Sequence, residues 1–268
     1  MAKIGFVGAG NMAEAIIKGV IDAKVYKSNN IIISDIRPQR VKTVCKKYKV
    51  KSADNCKLAK TVNVLVLSVK PQNMADILKE IKKAISKNIL IVSIAAGVTT
   101  KKIQKTLGNI AVVRVMPNTP ALIGQGAAAI FATKKAKAKV KNVLRIFSAV
   151  GLAVEVGDEK LMDAVTAVSG SGPAYFFLLM EAMLKAAQKL GLKKAIAQKL
   201  VLQTAKGAGL LAVEAAKGGK GPDVLRKMVT SPGGTTEAAM RVFAKRNFEK
   251  TVLIALWAAA NRSKQLSR

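Results

Sequence analysis

Seven residues near the start of this chain restrict its fold more than any others. Val7-Gly8-Ala9-Gly10-Asn11-Met12-Ala13 fits the pattern G-x-G-x-x-G/A, directly after a short apolar run and at the head of a helical pattern. Each small residue has a steric task. Gly8 permits a tight turn, Gly10 lets backbone approach a pyrophosphate, and Ala13 allows a helix to pack closely on a strand. The helix that follows turns its N-terminal N–H groups toward the phosphates. The competing reading is a glycine turn without a ligand. The strand, turn and helix context, with a βαβ pattern after it, argues against that.

The rest of the first half repeats the same alternation. Residues 4–7, 31–34, 62–69 (VNVLVLSV), 89–94 (ILIVSI) and 112–116 are β-branched runs of strand length. Helical patterns over 11–23, 38–48, 74–85 and 100–107 separate them, the second with Pro38 in its first turn. Two more strands are expected over 127–132 and 152–156, with a basic helix over 135–148 between them. This alternation predicts an α/β fold, a Rossmann-type parallel sheet with helices on both faces. Gly157-Asp158 is the natural boundary, giving domains of 1–157 and 158–268. The second reads as all-α, with helices over 173–190, 194–217, 236–245 and 248–265.

Composition narrows the chemistry. The chain has no histidine and two cysteines, Cys45 and Cys56. Histidine acid–base catalysis is therefore excluded, and nothing is left to complete a zinc site. The two thiols read as reduced and cytosolic. No signal peptide is expected, because the apolar start runs into glycines and Glu14. No membrane span is expected over 115–133, which is broken by Pro117, Asn118, Pro120 and glycines. Lys and Arg number 46 against 15 Asp and Glu, for a net charge of +31. A nucleic-acid or anionic-lipid partner is one reading. The other is a general lysine bias spread over solvated helix faces. The lysines are scattered, and the densest tract, 134–141 (KKAKAKVK), has no aromatic partners for base stacking. That favours the second reading.

The residue ending the second strand meets the adenosine ribose in such folds. Here it is Asp35, which suits two ribose hydroxyls and so favours NAD. Arg37 and Arg40 follow closely, and either can hold the extra phosphate of NADP. Ordinary helix-surface charge is the alternative for both. Ser68-Val69-Lys70-Pro71-Gln72 and Val115-Met116-Pro117-Asn118-Thr119-Pro120 end two further strands, where open α/β sheets place ligands. The helical half carries Ser169-Gly170-Ser171-Gly172-Pro173-Ala174-Tyr175 and Val229-Thr230-Ser231-Pro232-Gly233-Gly234-Thr235-Thr236. Gly233 and Gly234 are expected to leave backbone N–H groups uncovered where Thr235 and Thr236 begin a helix. Such an end binds a carboxylate without a charged side chain. A plain Pro-Gly-Gly turn with a threonine cap is the competing reading.

With the Gly-rich start, this set in this order resembles the pyrroline-5-carboxylate reductase family over essentially the whole chain. The resemblance implies a Rossmann domain followed by a helical dimerisation domain. It implies NADPH- or NADH-dependent reduction of 1-pyrroline-5-carboxylate to proline in the cytoplasm, with NADPH favoured. It assigns Ser231, Gly234 and Thr235 to the substrate carboxylate, with Gly233 in the same substrate-binding loop, and the Thr236 hydroxyl to the ring nitrogen, as the catalytic contact. It places Val7, Gly8, Ala9, Gly10, Asn11, Met12, Asp35, Arg37, Asn55, Ser68, Lys70 and Pro71 beside the cofactor, with Ala96 and Asn118 near its nicotinamide end. Lys70 also invites a catalytic reading, since a buried lysine can tune its pKa. The family further implies a homodimer, often associated into larger rings. Lys220, Gly221-Pro222 and Lys227 stand where many relatives carry an acidic residue and a His-Pro pair. The alternatives are a β-hydroxyacid dehydrogenase, whose catalytic lysine in the helical half has no good counterpart here, and a basic nucleic-acid-binding protein on a reductase fold.

Overall fold

The computed structural model describes residues 2–267. The chain forms two compact units. One runs up to Pro173 and takes in the stretch from Trp257 onward; the other is Ala174–Leu256.

The first unit is built on one eight-stranded sheet. Its elements are β1 (Ile4–Val7), α1 (Asn11–Asp22), β2 (Ile31–Ser34), α2 (Pro38–Tyr48), β3 (Lys51–Ser52), α3 (Asn55–Thr61), β4 (Val64–Leu67), α4 (Met74–Ile81), β5 (Leu90–Ser93), α5 (Thr100–Leu107), β6 (Ala111–Met116), β7 (Gly126–Ala132), α6 (Val140–Ser148) and β8 (Gly151–Glu155). The spatial order is β3-β2-β1-β4-β5-β6-β7-β8. β1 pairs in parallel with β2 on one side (Ile4 opposite Ile31) and with β4 on the other (Ile4 opposite Val64). The chain thus reverses its direction across the sheet between β1 and β4. The crevice beyond the carboxyl ends of those two strands is where ligands bind in such sheets.

Side chains alternate between two cores, as the strand period of two requires. Ile4, Phe6, Ile31, Ile33, Val64 and Val66 face one side with Ile16, Ile17, Val44 and Phe147 of α1, α2 and α6. Val7, Ile32, Leu65, Leu67 and Ile91 face the other with Leu58, Leu78, Ile81 and Ile103 of α3, α4 and α5. Phe147 is fully buried, so truncating it to Ala is expected to cost about 3–5 kcal/mol.

The structure departs from the sequence expectations in defined places. The sheet is not wholly parallel: β7 runs antiparallel to β6, and β8 is parallel to β7. The link over 117–125 holds only a short 3-10 turn, Thr119–Ile123. A parallel return needs a crossover of a dozen or more residues, usually with a helix. The strand expected over 62–69 shortens to β4, and the helix over 74–85 stops at Ile81. The helix over 135–148 starts as 3-10 turns at Lys134–Lys139 and becomes α-helical only in α6. β3 and α3 were not expected.

Beyond β8 come α7 (Leu161–Val165), a π-turn at Thr166–Gly170 and α8 (Gly172–Lys189). Then follow α9 (Lys194–Lys217), α10 (Pro222–Met228), α11 (Thr235–Lys245) and α12 (Phe248–Leu266). The second unit is helical throughout. Much of its apolar surface is uncovered: Phe176 is 65% exposed and Leu178 67%.

Candidate active site

The Gly-rich segment forms the turn from β1 into α1. Gly8 adopts φ +92, a left-handed conformation natural to glycine. A Cβ there would also collide with the Ser68 carbonyl oxygen at the end of β4. The turn is held by hydrogen bonds from Gly8 N–H to the Ser34 carbonyl (2.8 Å) and from Ser68 N–H to the Val7 carbonyl (2.8 Å). Gly10 precedes α1 as its cap, with no side chain to satisfy the helix N–H groups. A Cβ on Gly10 would meet nothing within 4 Å. Ala13 is fully buried between helix and sheet. Val7 is buried, Met12 half-buried and Asn11 exposed. An uncapped twelve-residue helix with open space at its head suits a pyrophosphate.

Asp35 lies just past β2 and is already engaged. Its Oδ2 accepts the Ala9 N–H at 2.9 Å. Arg37 donates to both carboxylate oxygens, at 2.9 and 3.1 Å, and its backbone N–H adds a bond of 3.0 Å. Burial pushes the Asp35 carboxyl up, but these donors win and hold it at about 2. Arg37 remains largely exposed, beside an Ile36 side chain that is 86% exposed.

Arg40, expected as a phosphate arm, is not free. Its Nε donates to the Ala9 carbonyl at 2.6 Å and its Nη2 to Glu14 at 2.5 Å. Glu14 also accepts from Lys47 Nζ (2.9 Å) and the Tyr48 hydroxyl (2.9 Å). Burial raises the Glu14 carboxyl, but Lys47, Tyr48 and Arg40 together bring it down to about 2. Sequence reasoning gave Glu14 no role, because its partners lie some 30 residues away on α2.

Asn55 opens α3 and joins the same strand ends. Its Oδ1 accepts from Ser34 Oγ at 2.5 Å, and its Nδ2 donates to Glu80 at 2.8 Å. Lys70 and Pro71 are exposed in the loop after β4, so the buried environment that would favour a catalytic Lys70 is missing. Ala96 is half-buried in the loop after β5. Its neighbour Gly97 is backed by Leu266, so close that a Cβ on Gly97 would lie 2.8 Å from the Leu266 Cβ. The end of α12 is further fastened by a bond of 2.7 Å from Ser263 Oγ to Asp163. Asn118 works as a clip: its Oδ1 accepts the Ala127 N–H at 2.8 Å, and its Nδ2 donates to the Ser169 carbonyl at 3.1 Å.

In the second unit, the segment from Ser231 to Thr236 leads into α11, capped by Gly234. Gly233 has φ +70. Its N–H is not uncovered, as the sequence suggested: it donates to Glu237 Oε2 at 2.8 Å. The Gly234 N–H donates to the Ser231 carbonyl at 3.0 Å. The reason is local. Glu237, in the first turn, reaches back to the preceding loop much as in a capping box. The amides that head the helix are those of Thr235 and Thr236, which have no partner within an α-helix. Ser231 and Thr235 are exposed, and Thr236 is half-buried.

A doubly wound sheet with a glycine turn at its switch point, an uncapped helix aimed over it and an acidic residue after the second strand defines a dinucleotide-dependent oxidoreductase. Residues 3–97 match the family described as NADP oxidoreductase, coenzyme F420-dependent, and residues 159–266 match pyrroline-5-carboxylate reductase dimerisation. A pyrroline-5-carboxylate reductase of Pseudomonas aeruginosa is 43% identical over 99% of this chain and 97% of its own length. Among solved structures, the enzyme of Coxiella burnetii superposes with a TM-score of 0.92 at 40% identity, covering 100% of this chain and 99% of that one. The Plasmodium falciparum enzyme with NADP bound gives 0.88 at 32% identity, covering 100% and 98%. The chain belongs to the pyrroline-5-carboxylate reductase family, and it is an NAD(P)-dependent oxidoreductase.

Proposed function

We propose that this chain reduces the C=N bond of 1-pyrroline-5-carboxylate to give L-proline, with NADPH as the preferred cofactor and NADH as the alternative. The observation that carries the proposal is full-length likeness to reductases of that name together with an intact Ser231–Thr236 segment at the head of α11. Residues 1–157 serve as the cofactor domain and 158–268 as the substrate-binding and dimerisation domain.

The bound dinucleotide supplies the hydride. The chain's own residues bind and orient the two reactants. The turn from Val7 to Met12 carries the pyrophosphate, with Ser68, Lys70, Pro71 and Asn55 framing it. Ala96 and Asn118 flank the nicotinamide end. Ser231 and Thr235 take the substrate carboxylate at the positive end of α11, and Gly233 and Gly234 shape the turn that presents them. The Thr236 hydroxyl bonds the ring nitrogen. Little acid–base machinery is required, since an imine nitrogen can take its proton from water, and the chain contains no histidine to supply one. Catalysis is chiefly the alignment of two bound reactants.

NADPH is favoured because Arg37 already cancels the Asp35 charge that would repel a ribose phosphate, while staying exposed enough to meet one. The working form is a homodimer, with larger rings as a further step. The exposed Phe176, Phe177 and Leu178 support this. Leu161–Lys189 is long and apolar enough to cross a membrane by length and composition alone. We read it as subunit interface instead, because it falls inside the 159–266 dimerisation match. The cytoplasm is the proposed location, in keeping with the free thiols of Cys45 and Cys56. The scattered positive charge is read as solvated surface, not as a nucleic-acid site.

The test is to mix the purified protein with 1-pyrroline-5-carboxylate and each reduced cofactor in turn. Cofactor oxidation with proline as product is expected. A folded protein that turns over neither pair refutes the proposal.

A further inference from the structure

Ala9 is held through both of its backbone groups. Asp35 accepts the Ala9 N–H at 2.9 Å, and Arg40 Nε donates to the Ala9 carbonyl at 2.6 Å. Arg40 cannot swing away cheaply, because Nη2 of the same planar guanidinium is bound to Glu14. Glu14 is in turn fixed by Lys47 and Tyr48, so three donors from α2 converge on one carboxylate of α1. The Arg40 side chain is 21% exposed and that of Glu14 is 18% exposed, so water competes weakly for these bonds.

A trans peptide points its C=O and N–H in opposite directions. No described peptide bond in this chain is cis. Fixing the Ala9 carbonyl on Arg40 therefore aims the Gly10 N–H away from Arg40. A Cβ on Gly10 would meet nothing within 4 Å, so the backbone there is open to approach. The Gly10 amide is the first donor a phosphate would meet at the head of α1.

We infer that Arg40 is a positioning residue that orients the anion-binding Gly10 amide, with Glu14 as the anchor that keeps it in place. It is not an arm for the ribose phosphate of NADPH. This rests on the reading that the Gly-rich turn holds a dinucleotide. The two roles differ in what they predict. A phosphate arm serves NADPH alone. A residue that sets the pyrophosphate amide serves NADH and NADPH equally, because both carry the same pyrophosphate.

The experiment titrates wild type, Arg40→Ala, Arg40→Lys and Glu14→Gln with NADH and with NADPH, following the fluorescence of the reduced nicotinamide, and measures turnover at saturating cofactor. Arg40→Ala is expected to weaken both dinucleotides by the same factor, about tenfold or more, as for the loss of one charge-assisted hydrogen bond. The saturated rate should fall far less than the affinity. Lys keeps the charge but cannot bridge Ala9 and Glu14, so Arg40→Lys should not rescue. Glu14→Gln should weaken both cofactors in the same ratio, by a smaller factor. Loss confined to NADPH, or NADPH affinity restored by Lys, overturns the inference in favour of a phosphate arm. Unchanged affinity for both cofactors overturns it too, including where melting temperature drops, since Arg40 would then serve the fold alone. If Arg40→Ala does not fold, Glu14→Gln decides by the same criteria. A folded wild type that binds neither dinucleotide fails at the level of the cofactor reading, and the inference falls with it.

Discussion

Arg114, buried in the middle of β6, pairs with Glu159 through a contact of 3.3 Å. The same Glu159 carboxylate accepts from the Thr100 N–H at 2.8 Å and the Thr100 hydroxyl at 2.6 Å, at the start of α5. One acidic residue beyond the last strand therefore neutralises a core arginine and caps a helix. Removing it would leave the guanidinium buried and unpaired. Glu159→Ala should destabilise the protein by about 2–4 kcal/mol. Denaturant unfolding measures this, and an unchanged midpoint would show that the pair carries no net energy.

Acid should act through Glu14 and Asp35. Both carboxyls fall to about 2 in the fold, from ordinary values of 4.5 and 3.8. A depressed folded pKa gives stability that is full above the unfolded value and is lost as pH falls toward the folded one. The loss should therefore spread from about pH 5 down to pH 2. Glu14→Gln should be less stable near neutrality and show a shallower decline over that range. Melting curves at stepped pH test it, and equal acid slopes would contradict it.

Gly8 and Gly10 should separate folding from binding. Gly8→Ala places a side chain at φ +92 against the Ser68 carbonyl. It should lose about 1–3 kcal/mol of stability and most cofactor affinity. Gly10 has φ -66 and open space around it. Gly10→Ala should change stability by no more than about 0.5 kcal/mol, yet impair cofactor binding by filling the approach to the pyrophosphate. A Gly10→Ala protein with full affinity would mean the phosphates lie elsewhere.

Association should be apolar. The second unit leaves Phe176, Phe177 and Leu178 largely uncovered, and a net charge of +31 opposes contact between copies. Light scattering should find a dimer or larger assembly that persists in high salt. A fully active monomer would contradict the proposed assembly.

Much of this was legible in the sequence, for physical reasons. β-branched runs such as Ile31–Ser34 and Leu90–Ser93 have the length and side chains of buried strands, so they announced themselves. Gly8 did so because few other residues fit its left-handed turn, and Gly10 because its place in the motif is where backbone approaches a phosphate. β3 did not, since Lys51–Ser52 is two exposed polar residues on an edge. α3 did not, because seven residues show little periodicity, although Asp54 was there to cap it. The antiparallel β7 was readable from the short 117–125 link, which strand propensity does not weigh. The clamp of Glu14 and Arg40 was hidden, because 26 residues separate partners that meet only once α1 and α2 lie on the sheet. The engaged Gly233 amide was missed because sequence alone does not show that the Glu237 side chain folds back onto the loop before its own helix.

Thr236 offers a narrower probe of the substrate site. Thr236→Val keeps the shape and removes the hydroxyl. If that hydroxyl bonds the ring nitrogen in the transition state, kcat/KM should fall by about 1–3 kcal/mol while cofactor affinity holds. Unaltered kcat/KM would leave Thr236 as a helix-start residue only.

The most direct test of the reductase reading follows the hydride itself. Reduced cofactor carrying deuterium at nicotinamide carbon 4 is mixed with the protein and 1-pyrroline-5-carboxylate, and the product is analysed by mass spectrometry. The account predicts proline with one deuterium at carbon 5, the former imine carbon, when the label is on the transferred face. Proline that is unlabelled with deuterium on either face of the cofactor, or no proline at all, would contradict it.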